Sequence, residues 1–125
     1  MSKRSLLPAL LIIMLLATSC SKGMQLHGTW IMDAYSINQN DASHEMDLIW
    51  VLHSDGTMEQ TITYPGGVID QNTASWELSD NQLTIHYPHN NTSVLWTIDV
   101  FDSDRLEVAH TRPGFYVQRG FQKQQ

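Results

Sequence analysis

The sequence predicts an all-β domain in which eight short antiparallel strands close into an up-and-down β-barrel. Three observations support this fold class. Apolar and polar residues alternate over most of residues 26–125, turn-forming residues interrupt them about every ten to fifteen positions, and no segment has a convincing helical period. A two-sheet sandwich is the structural alternative. Closure is favoured because it removes the exposed edges that a flat meander would leave.

The segment before the domain has the organisation of an export signal. Lys3 and Arg4 form a basic start, Leu6 to Leu16 form an apolar run, and small residues lead into Cys20. The apolar run is shorter than the roughly 17–25 residues that a membrane-spanning helix needs. We therefore predict a cleaved signal rather than a permanent transmembrane anchor.

Cys20 favours a lipoprotein signal over an ordinary secretory signal. The residues before it resemble the lipobox of Gram-negative lipoproteins, although Ala17 stands where Leu is usual. Because Cys20 is the only cysteine, it cannot form an intramolecular disulfide, and acylation, with palmitate for example, gives the thiol a role. Several acyl chains would anchor the protein stably. The predicted divisions are a lipoprotein signal peptide at 1–19, acylated Cys20 with a short linker at 20–25, and the barrel domain at 26–125.

The predicted location is the cell envelope, with a lipid anchor in the outer membrane and the domain facing the periplasm. Ser21 is not the Asp that resembles an inner-membrane retention signal, and residues 22–24 lack the acidic run that resembles a surface-export tag. Without Lys3 and Arg4, five of the seven Lys and Arg remain against 13 Asp and Glu, a formal charge of −8. A surface of this charge argues against nucleic acid as a partner.

Within the domain, each strand is bounded by residues that favour turns, such as Ser54-Asp55-Gly56 and Pro65-Gly66-Gly67. The longest polar gap, from Asn38 to Glu45, is predicted to be a loop or lid beside the mouth of any pocket. The eight predicted strands cover residues 28–36, 47–53, 57–64, 72–78, 82–87, 93–101, 105–110 and 114–122.

Four segments carry a family resemblance over nearly the whole domain. They are Leu26–Trp30 (LHGTW), Ser54–Thr57 (SDGT), Trp76–Ile85 (WELSDNQLTI) and Arg105–Val108 (RLEV). In this order they resemble the small lipocalin-like domains of bacterial lipoproteins. The resemblance implies that Trp30 closes one end of the barrel and packs against an arginine of the last strand, for which Arg119 is the candidate by position. That pair would be structural.

The interior of the barrel is predicted to be either filled by side chains or to hold one small ligand, because strands of six to nine residues do not favour a deep calyx. If a small apolar pocket exists, its predicted wall consists of Trp50, Met58, Trp76, Trp96 and Phe115. The predicted inward-facing set is Trp50, Met58, Ile62, Trp76, Leu78, Leu83, Ile85, Trp96, Ile98, Val100, Leu106, Val108, Phe115 and Val117.

Two functions remain open at the level of sequence. The favoured one is binding of a small apolar or amphipathic ligand by a membrane-anchored barrel. The alternative is a filled barrel that acts as a structural module or binds another envelope protein. An enzyme is not expected, because no nucleophile, base and orienting group form a recognisable set. No cofactor is expected, and the six histidines match no compact metal-binding pattern.

Overall fold

The computed structural model describes residues 26–125, which form nine strands. Cys20 and the predicted signal peptide lie outside the described residues. Within residues 26–125, no helix is long and apolar enough to cross a bilayer. The strands are β1 (Gly28–Ile37), β2 (Asn40–Asp41), β3 (Asp47–Leu52), β4 (Thr57–Thr63), β5 (Ile69–Ser79), β6 (Gln82–Tyr87), β7 (Thr92–Phe101), β8 (Arg105–Arg112) and β9 (Phe115–Lys123).

Eight of these strands form a closed antiparallel barrel, which confirms the predicted fold class. The order is β1-β3-β4-β5-β6-β7-β8-β9, and β1 also pairs with β9. Trp30 marks the closure, because it lies opposite Trp50 on β3 and opposite Lys123 on β9. Since both edges of the sheet are paired in this way, the barrel has no free edge strand of full length.

The predicted loop at 38–45 contains the remaining short strand. β2 pairs with the end of β1 through Ser36 opposite Asp41 and Ile37 opposite Asn40. Asn38 and Gln39 take positive φ angles of 52° and 66° and form the turn between the two strands. This segment therefore folds back as a tight hairpin, whereas polar composition alone had indicated a loop.

Two bulges change which residues face inward. In β7 the register shifts between Ile98 and Val100, so the alternation is reset at Asp99. Phe101 then packs against the core, and Val100 is 37% exposed. The prediction that Val100 faces inward was wrong, because strict two-residue alternation does not survive an inserted residue. A similar shift between Met32 and Ala34 turns Tyr35 toward the core.

The barrel has two unlike ends, which follow from the antiparallel order of its strands. One end, which we call the closed end, carries Leu26 and the turns at 53–56, 80–81 and 102–104. Leu26, Trp30 and Leu106 are each 0% exposed there. The other end, which we call the open end, carries the turns at 38–39, 64–68, 88–91 and 113–114. Apolar residues on its rim remain exposed.

The closed end is sealed mainly by Trp30 on β1. Its indole Nε1–H donates to the Leu26 carbonyl oxygen at 2.8 Å, and its ring meets Phe101 edge to face at 6.3 Å. Gly28 precedes it with φ +135°, and a Cβ atom at this position would lie 2.6 Å from Lys123 Cε. The positive φ favours glycine here, whereas the Lys123 side chain is flexible enough to move aside.

Candidate binding site in the barrel interior

The centre of the candidate site is Arg119, which alternation along β9 places inside the barrel between Val117 and Phe121. Its guanidinium carbon, Cζ, lies 4.9 Å from the centre of the Trp96 ring and 5.9 Å from that of Trp50. The Tyr35 ring is 5.3 Å away. Three aromatic rings therefore surround one cation in the half of the barrel that leads to the open end.

A small polar network lies beside this cation. Gln60 is 7% exposed, and its Oε1 accepts hydrogen bonds from Trp50 Nε1 at 2.9 Å and from the Tyr87 hydroxyl at 2.8 Å. Phe121 stacks on Trp50 with ring centres 4.4 Å apart. The network fixes the orientation of the Trp50 ring that forms one wall around Arg119.

The four tryptophans differ in whether their indole N–H groups have an acceptor. Trp30 and Trp50 donate to Leu26 and Gln60 as described, and Trp76 donates to the carbonyl oxygens of His53 at 2.9 Å and Thr57 at 3.1 Å. Trp96 is 4% exposed, and no group of residues 26–125 accepts from its buried Nε1. The buried Nε of Arg119 likewise has no acceptor within the described part of the chain.

The charge of Arg119 is also uncompensated. Burial lowers the pKa of its guanidinium, and the nearby Tyr35 and Tyr87 hydroxyls oppose that shift. None of the ion pairs formed within residues 26–125 includes Arg119. A partly buried cation beside two buried donors without an acceptor makes this the candidate site for an acceptor group, because an unmatched buried donor is costly.

Arg105 provides a contrast on the outer face of the same sheet. Its Nη1 contacts both Asp33 carboxylate oxygens at 2.6 Å, and its Nε lies 3.3 Å from Glu107. These side chains line a surface cleft of about 510 Å³. Arg105 already has two carboxylates, whereas Arg119, which also lines this cleft together with Tyr35, has none.

The register between β7 and β8 ends next to Trp96. On β7 it runs from Thr97 to Phe101, and we call the stretch from Thr97 toward the open end the seam. His110 lies in this seam: its Nδ1 is 3.2 Å from the Leu95 carbonyl oxygen, and its ring centre is 5.5 Å from that of Trp96. His110 and Leu95 also line a cleft of about 400 Å³ on the outer side. The seam therefore places His110 against the Trp96 ring.

The structure separates the five residues predicted to form a pocket wall. Trp50 and Trp96 meet at 5.8 Å and flank Arg119. Met58 and Trp76 are buried at the closed end, where the Trp76 indole is tied to the 53–57 turn, so they belong to the packed core there. Phe115 is 49% exposed. It is the first residue of β9 on the rim of the open end, so its predicted burial in the interior was wrong.

The predicted contact between Arg119 and Trp30 is replaced by two others. Lys123 Nζ lies 5.5 Å from the centre of the Trp30 ring, as the register of β1 and β9 requires. Arg119 lies opposite Tyr35, four residues before Lys123 in β9 and therefore about 13 Å from the Trp30 position. Trp30 seals the closed end without Arg119.

Three polar members of the site were not predicted from the sequence: Tyr35, Gln60 and Tyr87. Gln60 could have been found from the sequence. It shares a face of β4 with Met58 and Ile62 and is therefore a polar residue on an apolar face. The inward position of Tyr35 could not have been found in this way, because the bulge in β1 reverses the alternation just before it.

Comparisons with known proteins agree with this architecture. A family described as the lipocalin-like domain matches residues 26–108. No curated protein matches the chain significantly. A lipocalin-like protein from Bacteroides uniformis has a similar fold, with a TM-score of 0.59 and 12% identity over 80% of this chain and 99% of its own. An uncharacterized protein from Bacteroides eggerthii has a TM-score of 0.58 and 9% identity, over 78% and 98% respectively.

Proposed function

Because the chain belongs to the family of lipocalin-like domains, we propose that it is an envelope lipoprotein whose barrel binds a small amphipathic molecule. The observation that carries this proposal is a pair of buried donors among aromatic rings, Arg119 Nε and Trp96 Nε1, that find no acceptor in residues 26–125. A barrel whose interior served only for packing would gain stability from an apolar residue in place of Arg119. The role is binding rather than catalysis, and nucleic acid is not the partner.

The two halves of the barrel differ in composition, which supports a packing role for one half and a binding role for the other. The closed end is packed by residues such as Leu26, Leu83 and Leu106, each 0% exposed. The half that leads to the open end combines a cation, two tyrosines and tryptophan rings, which is the mixture that small-ligand sites use to bury an apolar body and orient a polar group. A ligand of modest size suits an eight-stranded barrel.

The position of Leu26 indicates how a tethered domain would be oriented. Leu26 lies at the closed end, so a linker reaching back from it to acylated Cys20 would leave the barrel there. The open end would then point away from the lipid surface. In the outer membrane, with the domain facing the periplasm, this orientation leaves the binding half accessible to periplasmic molecules.

A second candidate function has one observation in its favour. Tyr64, Val68 and Ile69 around the β4–β5 turn are 41%, 65% and 61% exposed and form an apolar tip at the open end. Such a tip is typical of a contact with another protein. A barrel without a ligand could use it to bind an envelope partner.

Native mass spectrometry distinguishes the two candidates. We would export residues 22–125 to a bacterial periplasm without the lipid anchor, purify them without detergent, and extract any bound molecule with solvent. A reproducible co-purifying small molecule supports the binding function and identifies its class. A mass equal to that of the chain alone, unchanged when apolar or amphipathic molecules are added, favours the protein-interaction function.

The lipid anchor has a separate test. Cys20→Ala is expected to abolish labelling with radioactive palmitate and to leave the precursor uncleaved or the domain released from the membrane fraction. Ser19→Ala, next to it, is the matched control and should be labelled as wild type. Membrane retention and labelling that survive Cys20→Ala would refute the lipoprotein assignment.

A further inference from the structure

We infer that β5 binds an extended, basic segment of a partner protein as an additional antiparallel strand along residues 69–74, which we call the edge segment. The register between β5 and β6 ends where Ser75 lies opposite His86, because the chain turns back at residues 88–91 into β7. β5 continues through the edge segment and pairs there with β4. The inference goes beyond the small-molecule function and holds whether or not the barrel interior contains a ligand.

The direction of the main-chain groups in the edge segment follows from one hydrogen bond. The Trp76 N–H donates to the Gly56 carbonyl oxygen at 2.8 Å, toward the β4 side. The β4–β5 register has no shift between this bond and residue 69, so residues 74, 72 and 70 also bond toward β4. Successive residues of an antiparallel strand direct their N–H and C=O groups to opposite sides. The N–H and C=O groups of Ile69, Gln71 and Thr73 therefore point away from β4.

Within residues 26–125, the sheet order gives these groups no second partner strand. Continuing the β5–β6 register would place Pro88 opposite Thr73, and proline has no N–H to donate. Two clefts are lined both by β5 and by residues near the β6–β7 turn. One of about 350 Å³ includes Gln71 and His89, and one of about 570 Å³ includes Ser75 and Pro88. An added strand gains affinity from main-chain hydrogen bonds and specificity from clefts that take alternate side chains.

The charge of this region selects a basic partner. Residues 26–104, which include β1 to β7, contain no Lys or Arg and contain every Asp and Glu of the chain except Glu107. Asp70 is exposed on the edge segment itself. On neighbouring β4, Glu59 contacts His53 and has a side chain that is 60% exposed. Because like charges across paired strands are unfavourable, these carboxylates disfavour an acidic strand, including the same segment of a second copy of this chain.

The two faces of the edge segment specify an alternating partner. Ile69 is 61% exposed, and Val68 beside it is 65% exposed. Ile69 and Asp70 are consecutive residues of a strand, so their side chains lie on opposite faces of the sheet. A strand paired with this edge would place an apolar side chain beside Ile69 and a basic one beside Asp70. The partner segment therefore alternates apolar and basic or polar residues.

Amide hydrogen exchange measured by nuclear magnetic resonance tests the inference with the peptide acetyl-KVTVRVK-amide as the probe. Its arginine lies opposite Asp70 in the antiparallel register, and its valines lie opposite Ile69, Gln71 and Thr73. The full chain, in the form that a bacterial host delivers and held in phosphatidylcholine nanodiscs where it is acylated, is labelled with ¹⁵N. We expect excess peptide to slow exchange at these three amides at least tenfold. The Asn72 amide, which bonds toward β4, should change less.

Two N-methylated peptides separate main-chain pairing from charge. Methylation of the three valine amides, which face β5 in this register, should weaken binding at least tenfold. Methylation of the threonine and arginine amides, which face away from β5, is the matched control and should weaken binding less than threefold. Both peptides keep the same charge, so equal binding by the two would overturn strand addition.

Variants of the chain test the preference for basic residues. Asp70→Lys should weaken binding of the basic peptide at least fivefold and strengthen binding of acetyl-EVTVEVE-amide. Glu77→Lys, in the part of β5 that pairs with β6, is the matched control and should bind both peptides within twofold of wild type. Unprotected amides at residues 69, 71 and 73 in excess peptide, or wild-type binding of the basic peptide by Asp70→Lys, would overturn the proposal. Protection that appears without peptide and grows with protein concentration would assign the edge to a second copy and would also overturn it.

Discussion

The two ends of the barrel use the same residue type in opposite ways. At the closed end, Trp30 and Trp76 bury their rings and donate their indole N–H groups to main-chain carbonyls. Toward the open end, Trp96 buries its ring but has no acceptor in residues 26–125, and it packs against the cation of Arg119. The indole donors at the closed end therefore have acceptors within the chain, whereas two donors near the open end have none in residues 26–125.

Because of this difference, we expect the two ends of the core to contribute differently to stability and to ligand binding. Buried polar groups in proteins are nearly always hydrogen-bonded, because leaving one unmatched costs about 1–3 kcal/mol. The free-energy cost of the unmatched donors of Trp96 and Arg119 is offset by the dense packing of the closed end. Changes at the closed end should therefore alter stability first, and changes near Arg119 should alter binding first.

The largest effect is expected from Trp30→Ala. Removing this ring opens a cavity under Leu26 and Phe101, and we expect the free energy of unfolding to fall by about 3–5 kcal/mol. Urea denaturation followed by tryptophan fluorescence measures it. Leu95→Ala, at a residue that is 47% exposed, is the control and should change stability by less than about 0.5 kcal/mol. A loss of stability below about 1 kcal/mol for Trp30→Ala would show that Trp30 does not close the barrel.

A matched pair of substitutions compares the two kinds of indole. Trp76→Phe removes a donor and leaves the His53 and Thr57 carbonyls short of a partner, whereas Trp96→Phe removes a donor that has none. We expect Trp76→Phe to cost about 1–3 kcal/mol more than Trp96→Phe in urea denaturation without ligand. Equal costs would mean that the Trp96 indole is satisfied in the folded protein by something other than a ligand.

Arg119→Met should separate stability from binding. In the absence of ligand, the free energy of unfolding should stay constant or rise by about 1 kcal/mol, because a partly buried charge without a carboxylate partner is replaced by an apolar chain of similar length. Denaturant titration of the ligand-free protein measures this change. A loss greater than about 2 kcal/mol would make Arg119 a structural part of the core and contradict the contrast between the two ends.

The smallest effect is expected from acid titration of two similar turns, one near each end. Hydrogen bonds from Ser43 lower the pKa of Asp41, and hydrogen bonds from Thr57 lower that of Asp55, in each case below the ordinary value of 3.8. Folding therefore favours the charged carboxylates. Their contribution is complete above the unfolded pKa and is lost as the pH falls through the lower folded pKa.

The test compares Asp41→Asn and Asp55→Asn with wild type. Each variant should show a slightly shallower loss of stability than wild type as the pH falls below about 4, since the titrating group is gone. Urea denaturation at a series of pH values measures the slope. A slope identical to wild type in both variants would show that these carboxylates do not contribute to acid sensitivity.

The fold could be predicted from the sequence because its determinants are local. Alternation within Thr57–Thr63 and the turn at Ser54–Gly56 specify a strand and a hairpin without reference to the rest of the chain. Val100 was assigned to the wrong face because the bulge at Asp99 depends on how β7 fits β8, which is a property of the closed barrel.

The site was less accessible to sequence reasoning. Trp50 and Trp96 were predicted to line a pocket, if one exists. Their contact with Arg119 depends on the register between β1 and β9, which places Tyr35 rather than Trp30 opposite the arginine. An unmatched donor is a property of three-dimensional packing, and no pattern of residues reveals it.

A crystal structure of the protein purified from a bacterial periplasm without detergent tests the central claim most directly. The account predicts a bound small molecule in the barrel interior, with an acceptor atom about 2.7–3.2 Å from Arg119 Nε or Trp96 Nε1. An interior in which both donors contact protein atoms alone would contradict it.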